Sequence, residues 1–313
     1  MKFGAWTYQS SASMDMLEFA RVAEQCGFDY VGQGEHSHRP ITAAERHLRV
    51  PDELHPHATM FDQWVLLGAW AAVTTTVKLG AAITLIMERD PLWLAKAIAT
   101  LDVLSGGRVS VGIGAGHIYE PYLKEMRNHG TAPSQRWALV RERTLAVREI
   151  LANDEPAYHG THVDFDPIWA FPKPIQKPRP PFWLGSSGYP REYTMLRPTA
   201  ASEPDIEARS QRVWEATLGR LLEYCDGWMP PGGEPNLGAK IGELQQRARE
   251  AGKPRYEVSV FGAGAGGQAL DAATVESFQA AGVDRIIFTP PAAPADVTIP
   301  RLQQVGELAR RYA

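Results

Sequence analysis

Apolar runs with strand spacing alternate with longer segments of helical spacing along the whole chain. The runs are short and either alternating or continuous, which predicts strands at residues 2–8, 30–34, 77–85, 108–113, 182–185, 226–229, 256–261 and 285–289. Between them apolar residues recur every three or four positions, which predicts helices at residues 14–26, 60–74, 91–104, 135–152, 213–224, 237–251, 272–281 and 300–312. Regular alternation of strand and helix is typical of an α/β protein with a parallel sheet.

Three helix-to-strand junctions resemble one another, which favours a repeated strand–helix unit. They read Gly27-Phe28-Asp29-Tyr30-Val31, Cys225-Asp226-Gly227-Trp228 and Gly282-Val283-Asp284-Arg285-Ile286. Together with eight strand–helix pairs, this similarity predicts a (β/α)8 TIM barrel that occupies residues 1–313 as one domain. A doubly wound open sheet is the alternative, and it is less favoured because no glycine fingerprint follows the first strand.

Three segments interrupt the alternation and are predicted to be insertions, placed after strands 2, 4 and 5. Residues 37–59 are polar and rich in histidine and proline. Residues 155–180 read as a hairpin at 158–163 followed by an extended, proline-rich crossing without helix. Residues 189–213 show no clear period. We expect the first and third insertions to shape a substrate pocket.

Composition and charge narrow the class of partner. The chain is 44% hydrophobic and 22% charged, which is ordinary for a globular protein, and its net charge of −4 favours neither nucleic acid nor an anionic membrane. Its two cysteines, Cys26 and Cys225, cannot form a disulfide framework. No window of 18 uncharged apolar residues and no signal-peptide pattern occurs, so we expect a cytoplasmic protein.

In a TIM barrel the functional groups lie where strands end at the carboxyl face. Four of those positions here are dominated by small residues: Ala82-Ile83-Thr84, Gly114-Ala115-Gly116-His117, Gly185-Ser186-Ser187-Gly188 and residues 262–267. Walls of this kind suit a large, flat cofactor better than a small sugar. The turns after strands 4 and 5 also expose backbone N–H groups and serine hydroxyls, so they are candidates for a phosphate clamp, with tight barrel turns as the alternative.

Polar and aromatic candidates lie at the ends of strands 1 and 2. Trp6 and Tyr8 are candidate substrate residues, and Trp6 is expected to floor a pocket. Glu35-His36 can move a proton near neutral pH, the alternative being the solvated start of a loop. His36-Ser37-His38 also has the H-x-H form of barrel metal sites. Because strands 5 to 8 end in residues poor in metal ligands, no metal site is expected.

These segments resemble the luciferase-like monooxygenases (the bacterial luciferase superfamily), and within it the branch that uses the deazaflavin coenzyme F420. The resemblance covers about residues 1–185 and 214–313, and its most specific part is Leu104-Ser105-Gly106-Gly107-Arg108 with Gly112-Ile113-Gly114. Other matching segments are Gly27-Phe28-Asp29-Tyr30-Val31 leading to Glu35-His36, Asp90-Pro91, Pro181-Phe182-Trp183-Leu184-Gly185 and Asp226-Gly227-Trp228.

The resemblance implies a homodimer of TIM barrels with a flavin or deazaflavin at the carboxyl face. It implies that Glu35-His36 contact the ring and take part in proton transfer, and that a non-prolyl cis peptide at Ala82–Ile83 backs the ring. The turns after strands 4 and 5 would hold the phosphate and side chain of the cofactor. An Asn or similar group is usual shortly after strand 4, and Tyr119 and Glu120 are the nearest candidates here.

The function expected from this resemblance is hydride transfer between F420 and a small organic substrate. One alternative is an FMN-dependent monooxygenase that needs a separate flavin reductase. Another is a non-catalytic, flavin-binding relative, and a metal-dependent hydrolase is the least favoured. The sequence does not name the substrate.

Overall fold

The strands of the structure, a computed structural model that describes residues 1–8, 12–43, 56–190, 206–264 and 270–312, confirm the predicted barrel. In chain order they are β1 Lys2–Thr7, β2 Tyr30–Gln33, β3 Lys78–Thr84, β4 Val109–Ile113, β5 Tyr158–His159, β6 Asp164–Phe165, β7 Phe182–Leu184, β8 Gly227–Trp228, β9 Glu257–Ala263 and β10 Arg285–Phe288. Eight of them pair in parallel and close in the order β1-β10-β9-β8-β7-β4-β3-β2, while β5 and β6 form an antiparallel hairpin.

The helices surround the barrel. They are α1 Met16–Gln25, α2 Gln63–Val73, α3 Pro91–Leu104, α4 Tyr122–Asn128, α5 Arg136–Ala152, α6 Ile206–Tyr224, α7 Leu237–Glu250, α8 Ala272–Ala280 and α9 Ala295–Arg310. Four begin at an aspartate whose carboxylate accepts backbone N–H groups of the first turn: Asp15, Asp62, Asp90 and Asp271. Such caps satisfy donors that the helix itself leaves unpaired.

The predicted helix boundaries were wrong in three places. Helix α4 was not predicted, because its seven residues are too few to show a clear period. Helix α6 begins at Ile206 rather than at residue 213. Helix α9 begins at Ala295, so Pro300 lies inside it instead of starting it, although a proline there removes one helical hydrogen bond.

The predicted insertions are described only in part. Residues 44–55 of the first and 191–205 of the third lie outside the described residues. In the second, the hairpin pairs Tyr158–His159 with Asp164–Phe165, two residues beyond the predicted end. The crossing that follows contains no helix, as predicted, and has cis peptide bonds at Phe171–Pro172 and Lys177–Pro178.

A tyrosine fills the centre of the barrel. Tyr30 is fully buried, and a Cβ added at Gly4 or Gly32 would lie 2.9 Å or 2.7 Å from its ring atoms. A Cβ at Gly80 would overlap the same ring. Three strands therefore carry glycine where they face Tyr30, because no larger residue leaves space for the ring.

A buried guanidinium lies beneath Tyr30, at the amino-terminal end of the barrel. Arg285 donates to Asp29 at 2.8 Å and to Glu257 at 2.5 Å, and its side chain is completely shielded from solvent. The guanidinium carbon also lies 4.9 Å from the centre of the Trp183 ring and 5.5 Å from that of Tyr30. Two carboxylates and two aromatic faces thus compensate its burial.

The packing around Tyr30 predicts a sharp contrast between two glycines. We expect Gly80→Ala to lower the free energy of unfolding by about 3 kcal/mol or more, because the barrel interior has no space for the methyl group. Gly242→Ala, on the exposed side of α7 with nothing within 4 Å, should raise it by about 0.5–1 kcal/mol. Urea denaturation of both variants measures the difference. Equal effects would contradict this account of the barrel interior.

Candidate active site

The floor of the barrel mouth is built from the ends of β1 and β3. The predicted non-prolyl cis peptide at Ala82–Ile83 is present. The Trp6 indole N–H donates to the Ala82 carbonyl at 2.7 Å, and the Trp6 ring meets Phe261 edge to face at 5.0 Å between centroids. Tyr8 meets Trp6 at 5.4 Å. The two predicted substrate residues therefore lie together at the mouth.

Ile83 explains two of the glycines that were predicted to bind phosphate. A Cβ at Gly114 or at Gly185 would overlap the Ile83 side chain. These glycines make room for a side chain that projects from β3 across β4 and β7, so packing accounts for both of them.

Two neighbouring cavities lie at this floor. The smaller, of about 80 Å³, is mostly apolar and lies between Ala82, Met229, Pro231 and Phe261. The larger, of about 340 Å³, extends from Ala115 and Gly116 toward α6. Both are lined by Ile83, Gly185, Ser186 and Ser187. An elongated molecule could therefore lie across Ile83 with one end in each cavity.

Arginines line the outer part of the larger cavity. Arg209, Arg212 and Arg220 lie on the face of α6 that borders it, and Arg136 comes from the start of α5. The Arg220 guanidinium carbon lies 3.7 Å from the centre of the Trp137 ring. Burial, with the neighbouring Arg136 charge, lowers the pKa of Arg220. Four guanidinium groups beside one cavity favour an anionic ligand.

The turn after β7 carries an internal ion pair. The Ser187 hydroxyl donates to Glu234 Oε2 at 2.6 Å, and the Gly188 N–H donates to Glu234 Oε1 at 3.1 Å. Lys240 Nζ also contacts Glu234 and donates to the Gly188 carbonyl at 3.1 Å. Of the four residues predicted here, Gly185, Ser186 and Ser187 line the cavities, whereas Gly188 binds Glu234.

Glu35 is paired with an arginine. Its carboxylate accepts the Leu85 N–H at 2.7 Å and Arg89 Nε at 2.5 Å. Arg89 also donates to Asp62 at 2.7 Å. Burial by itself would raise the pKa of Asp62, but hydrogen bonds from Arg89 and from the Val65 and Trp64 amides lower it below its usual value. Glu35 therefore joins β2 to the segment after β3, and positioning is the role its contacts support.

His36 forms a hydrogen-bonded pair with a carboxylate that the sequence did not indicate. Its Nδ1 lies 2.8 Å from Glu125 Oε2, and both side chains are nearly buried. The second oxygen of Glu125 accepts the Ser37 N–H at 3.0 Å. A carboxylate on Nδ1 fixes the orientation of the imidazole, which leaves Nε2 as the nitrogen for proton exchange.

Aromatic rings connect His36 with the floor of the mouth. His57 stacks on His36 at 4.2 Å between centroids, and Tyr8 meets His57 at 6.3 Å. The Tyr122 hydroxyl lies 3.0 Å from His57 Nδ1, and the predicted site residue His117 packs on Tyr122 at 4.5 Å.

A third cavity, of about 320 Å³, lies beside His36 and contains a buried carboxyl group. It is lined by Glu35, His36, Arg89, His129 and Glu88. Burial, together with the nearby Glu125 and Glu35 charges, raises the pKa of Glu88 to about 8. Glu88 Oε1 is buried and has no hydrogen-bond partner among the described residues. This carboxyl group therefore holds a proton at neutral pH.

Several other expectations fall elsewhere. Thr84 is completely buried, and its hydroxyl donates to Gln63. Of the two candidates named after strand 4, Glu120 forms an exposed pair with Arg127, and Tyr119 packs against His117 and Tyr122. The carboxylate that contacts His36 is Glu125 of α4. Among the described residues, no group of three or more His, Cys, Asp or Glu side chains is arranged to hold a metal ion.

Sequence reasoning missed Arg209, Arg212 and Arg220 of α6, Glu125 and Glu234, and of these the three arginines left a signal. Arg209, Arg212 and Arg220 fall on one face of a helix, but the segment before residue 213 was not taken as helical. Glu125 lies in an acidic and basic run that is typical of a solvated helix. Glu234 follows Gly232-Gly233 in a loop, where nothing local distinguishes it.

At its carboxyl face the closed (β/α)8 barrel thus carries an arginine-lined cavity and a histidine–carboxylate pair. Residues 1–201 match the luciferase-like monooxygenases, and the chain belongs to that family. An uncharacterized protein of Mycobacterium tuberculosis (strain H37Rv) is 37% identical over 203 residues, which are 64% of this chain and 70% of the relative.

Solved structures show the same fold at low identity. The monooxygenase RslO1 from Streptomyces bottropensis is 21% identical with a TM-score of 0.70, and each chain is covered completely. An F420-dependent secondary alcohol dehydrogenase, solved with an F420–acetone adduct, is 19% identical with a TM-score of 0.69 and coverage of 98% and 97%. The fold also occurs in a monooxygenase solved with FMN. No described helix has the length and apolar character needed to span a membrane.

The buried Glu88 predicts a pH-dependent loss of stability. Its pKa rises from 4.5 in the unfolded chain to about 8 in the folded protein. The contribution of this group to stability is therefore full below about pH 4.5 and is lost as pH rises toward 8. Glu88→Gln keeps a neutral group there. As pH rises from about 4.5 to about 8, the unmodified protein should lose unfolding free energy relative to Glu88→Gln, as measured by urea denaturation. The exposed Glu120→Gln should show a nearly constant difference, and the same constancy for Glu88→Gln would refute the assignment.

Proposed function

We propose that this protein is an F420-dependent oxidoreductase that transfers a hydride between the deazaflavin and a small organic substrate. The observation that carries the proposal is a pair of neighbouring cavities that share Ile83 in their walls, the smaller mostly apolar and the larger lined by arginines. When bound, F420 supplies the hydride chemistry at its ring, while the protein orients the ring and excludes water.

The residues present fit such a cofactor. A flat ring needs an apolar surface with little side-chain bulk, and Ala82, Ile83, Gly185 and Phe261 provide it. The side chain of F420 carries a phosphodiester and carboxylates, so it brings several negative charges into the outer cavity. Arg136, Arg209, Arg212 and Arg220 supply matching positive charges. The phosphate of FMN carries fewer charged groups, which is why F420 is favoured.

The His36–Glu125 pair is the proton-handling group of the proposed site. Because Glu125 accepts from Nδ1, the imidazole can donate or accept a proton only through Nε2. Glu125 holds the orientation of the ring through its contact with Nδ1. Glu35, by its contacts with Arg89 and the Leu85 amide, holds the strand end from which His36 projects.

Direct titration distinguishes the cofactors. We expect purified protein to bind F420 more tightly than FMN, as followed by the fluorescence of either molecule, with Arg220→Gln weakening F420 binding by about tenfold. Tighter binding of FMN, together with oxygen uptake when a flavin reductase supplies reduced FMN, would identify a two-component monooxygenase instead. Binding of neither molecule would contradict the proposed function.

Replacing the proton-handling group should slow turnover without preventing binding. With a substrate found by screening alcohols and carbonyl compounds with F420, we expect His36→Asn to lower kcat by about 10²–10⁴-fold. The Kd for F420 should change little. His38→Asn is the matched control, because His38 lies on the exposed side with Ser37 and Asn128 as partners. Unchanged turnover in His36→Asn would favour a non-catalytic, cofactor-binding relative.

We also propose a homodimer formed through α2 and α3. These helices pack side by side and expose large apolar residues: Val65 is 73%, Trp93 76% and Leu104 72% accessible. Small residues of α2, Gly68 and Ala72, lie on the same outer side, where another helix could approach closely.

The dimer is tested by light scattering after size-exclusion chromatography. We expect the full-length protein to elute as a dimer and Trp93→Glu as a monomer with unchanged secondary structure, because a charge would be buried in the interface. Val297→Glu places the same charge on an exposed apolar residue of α9 and should leave the dimer intact. If Trp93→Glu remains a dimer, the interface is not formed by α2 and α3.

A further inference from the structure

The turn after β7 already binds an anion, the carboxylate of Glu234. The Ser187 hydroxyl and the Gly188 N–H point at the two oxygens of Glu234, at 2.6 Å and 3.1 Å. The Glu234 side chain is fully buried. Its carboxylate therefore occupies the position in which a bound phosphate would receive these same hydrogen bonds.

The carboxylate is balanced by a lysine from the following helix. Lys240 of α7 contacts Glu234 Oε1, and its side chain is only 12% exposed. The same ammonium donates to the Gly188 carbonyl at 3.1 Å, so it also holds the backbone of the turn. The buried cluster is thus electrically neutral and its donors are in use, which makes it a stable part of the wall.

A second anion cannot share these donors. Each N–H or O–H has one proton to give, and a phosphate at the turn would also lie beside a buried negative charge. The opposite side of the turn is different, because Gly185, Ser186 and Ser187 border the cavity that contains Arg136 and Arg220. In the described structure Arg136 Nε is buried without a hydrogen-bond partner.

We infer that Glu234 is a specificity-determining residue, whose carboxylate blocks the turn after β7 and directs the anionic part of the cofactor to the arginines of α5 and α6. This inference rests on the proposed function for the identity of the cofactor alone. Its content is that guanidinium groups, and not the glycine–serine turn, bind the anionic part of the ligand.

The first test concerns the turn alone and needs no cofactor. Glu234→Ala removes the carboxylate and leaves Ser187, Gly188 and Lys240 around an open pocket. We expect formate or inorganic phosphate to raise the melting temperature of this variant by several degrees more than that of the unmodified protein, with chloride at equal ionic strength as reference. Glu243→Ala, which removes a carboxylate of α7 that accepts from Trp214 and Arg247, should show no such anion effect.

If Glu234→Ala does not fold, Glu234→Ser provides the same test. Its short side chain also vacates the position of the carboxylate and leaves Lys240 without a counterion, so phosphate should again stabilise the variant more than the unmodified protein. Equal responses to phosphate and formate in variant and unmodified protein would overturn the inference.

The second test concerns the choice between the two anion sites. We expect Arg220→Gln to weaken F420 binding about tenfold in the unmodified protein but less than about threefold in Glu234→Ala, since the opened turn then offers a second place for the phosphate. Equal losses in both backgrounds would overturn this part. Failure of F420 and FMN to bind any variant would refute the proposed function, while the anion-dependent melting of Glu234→Ala would still decide the inference about the turn.

Discussion

The packing of Tyr30 inside the barrel is the constraint on which the rest of the structure depends. Its ring requires glycine on β1, β2 and β3, and it covers the buried Arg285 with its two carboxylate partners. With the lower barrel filled in this way, Trp6, Ala82 and Ile83 lie above it and form the floor of the mouth. Because Tyr30 and Arg285 fill the lower part of the barrel, the proposed site lies above them at the carboxyl end.

Charge divides the mouth into two sides. On one side Glu35, Glu88 and Glu125 lie close to His36 and Arg89, and burial with the nearby negative charges raises the pKa of Glu88 to about 8. On the other side, four arginines border the larger cavity. The proposed redox cofactor, with its anionic side chain, fits this separation of charge.

The local sequence was sufficient for much of the fold and for parts of the site. Strand and helix periodicity located all eight barrel strands, and the resemblance placed the cis peptide at Ala82–Ile83. Errors occurred where a local rule competed with tertiary contacts, as for Pro300 within α9 and for the short helix α4. The glycines of the turns after β4 and β7 were correctly located, but the structure gives Gly114 and Gly185 a packing reason and gives Gly188 an internal carboxylate as its partner.

The sequence by itself determined the barrel, its order of strands and helices, and the placing of small residues at the carboxyl face, because these depend on periodicity and on residues adjacent in the chain. Only the tertiary structure decided which charges meet. His36 and Glu125 are 89 positions apart, and Ser187 and Glu234 are 47 apart. Contacts of this length arise when separate strand ends converge at one face of the barrel, and no local pattern records which side chain of one loop reaches another.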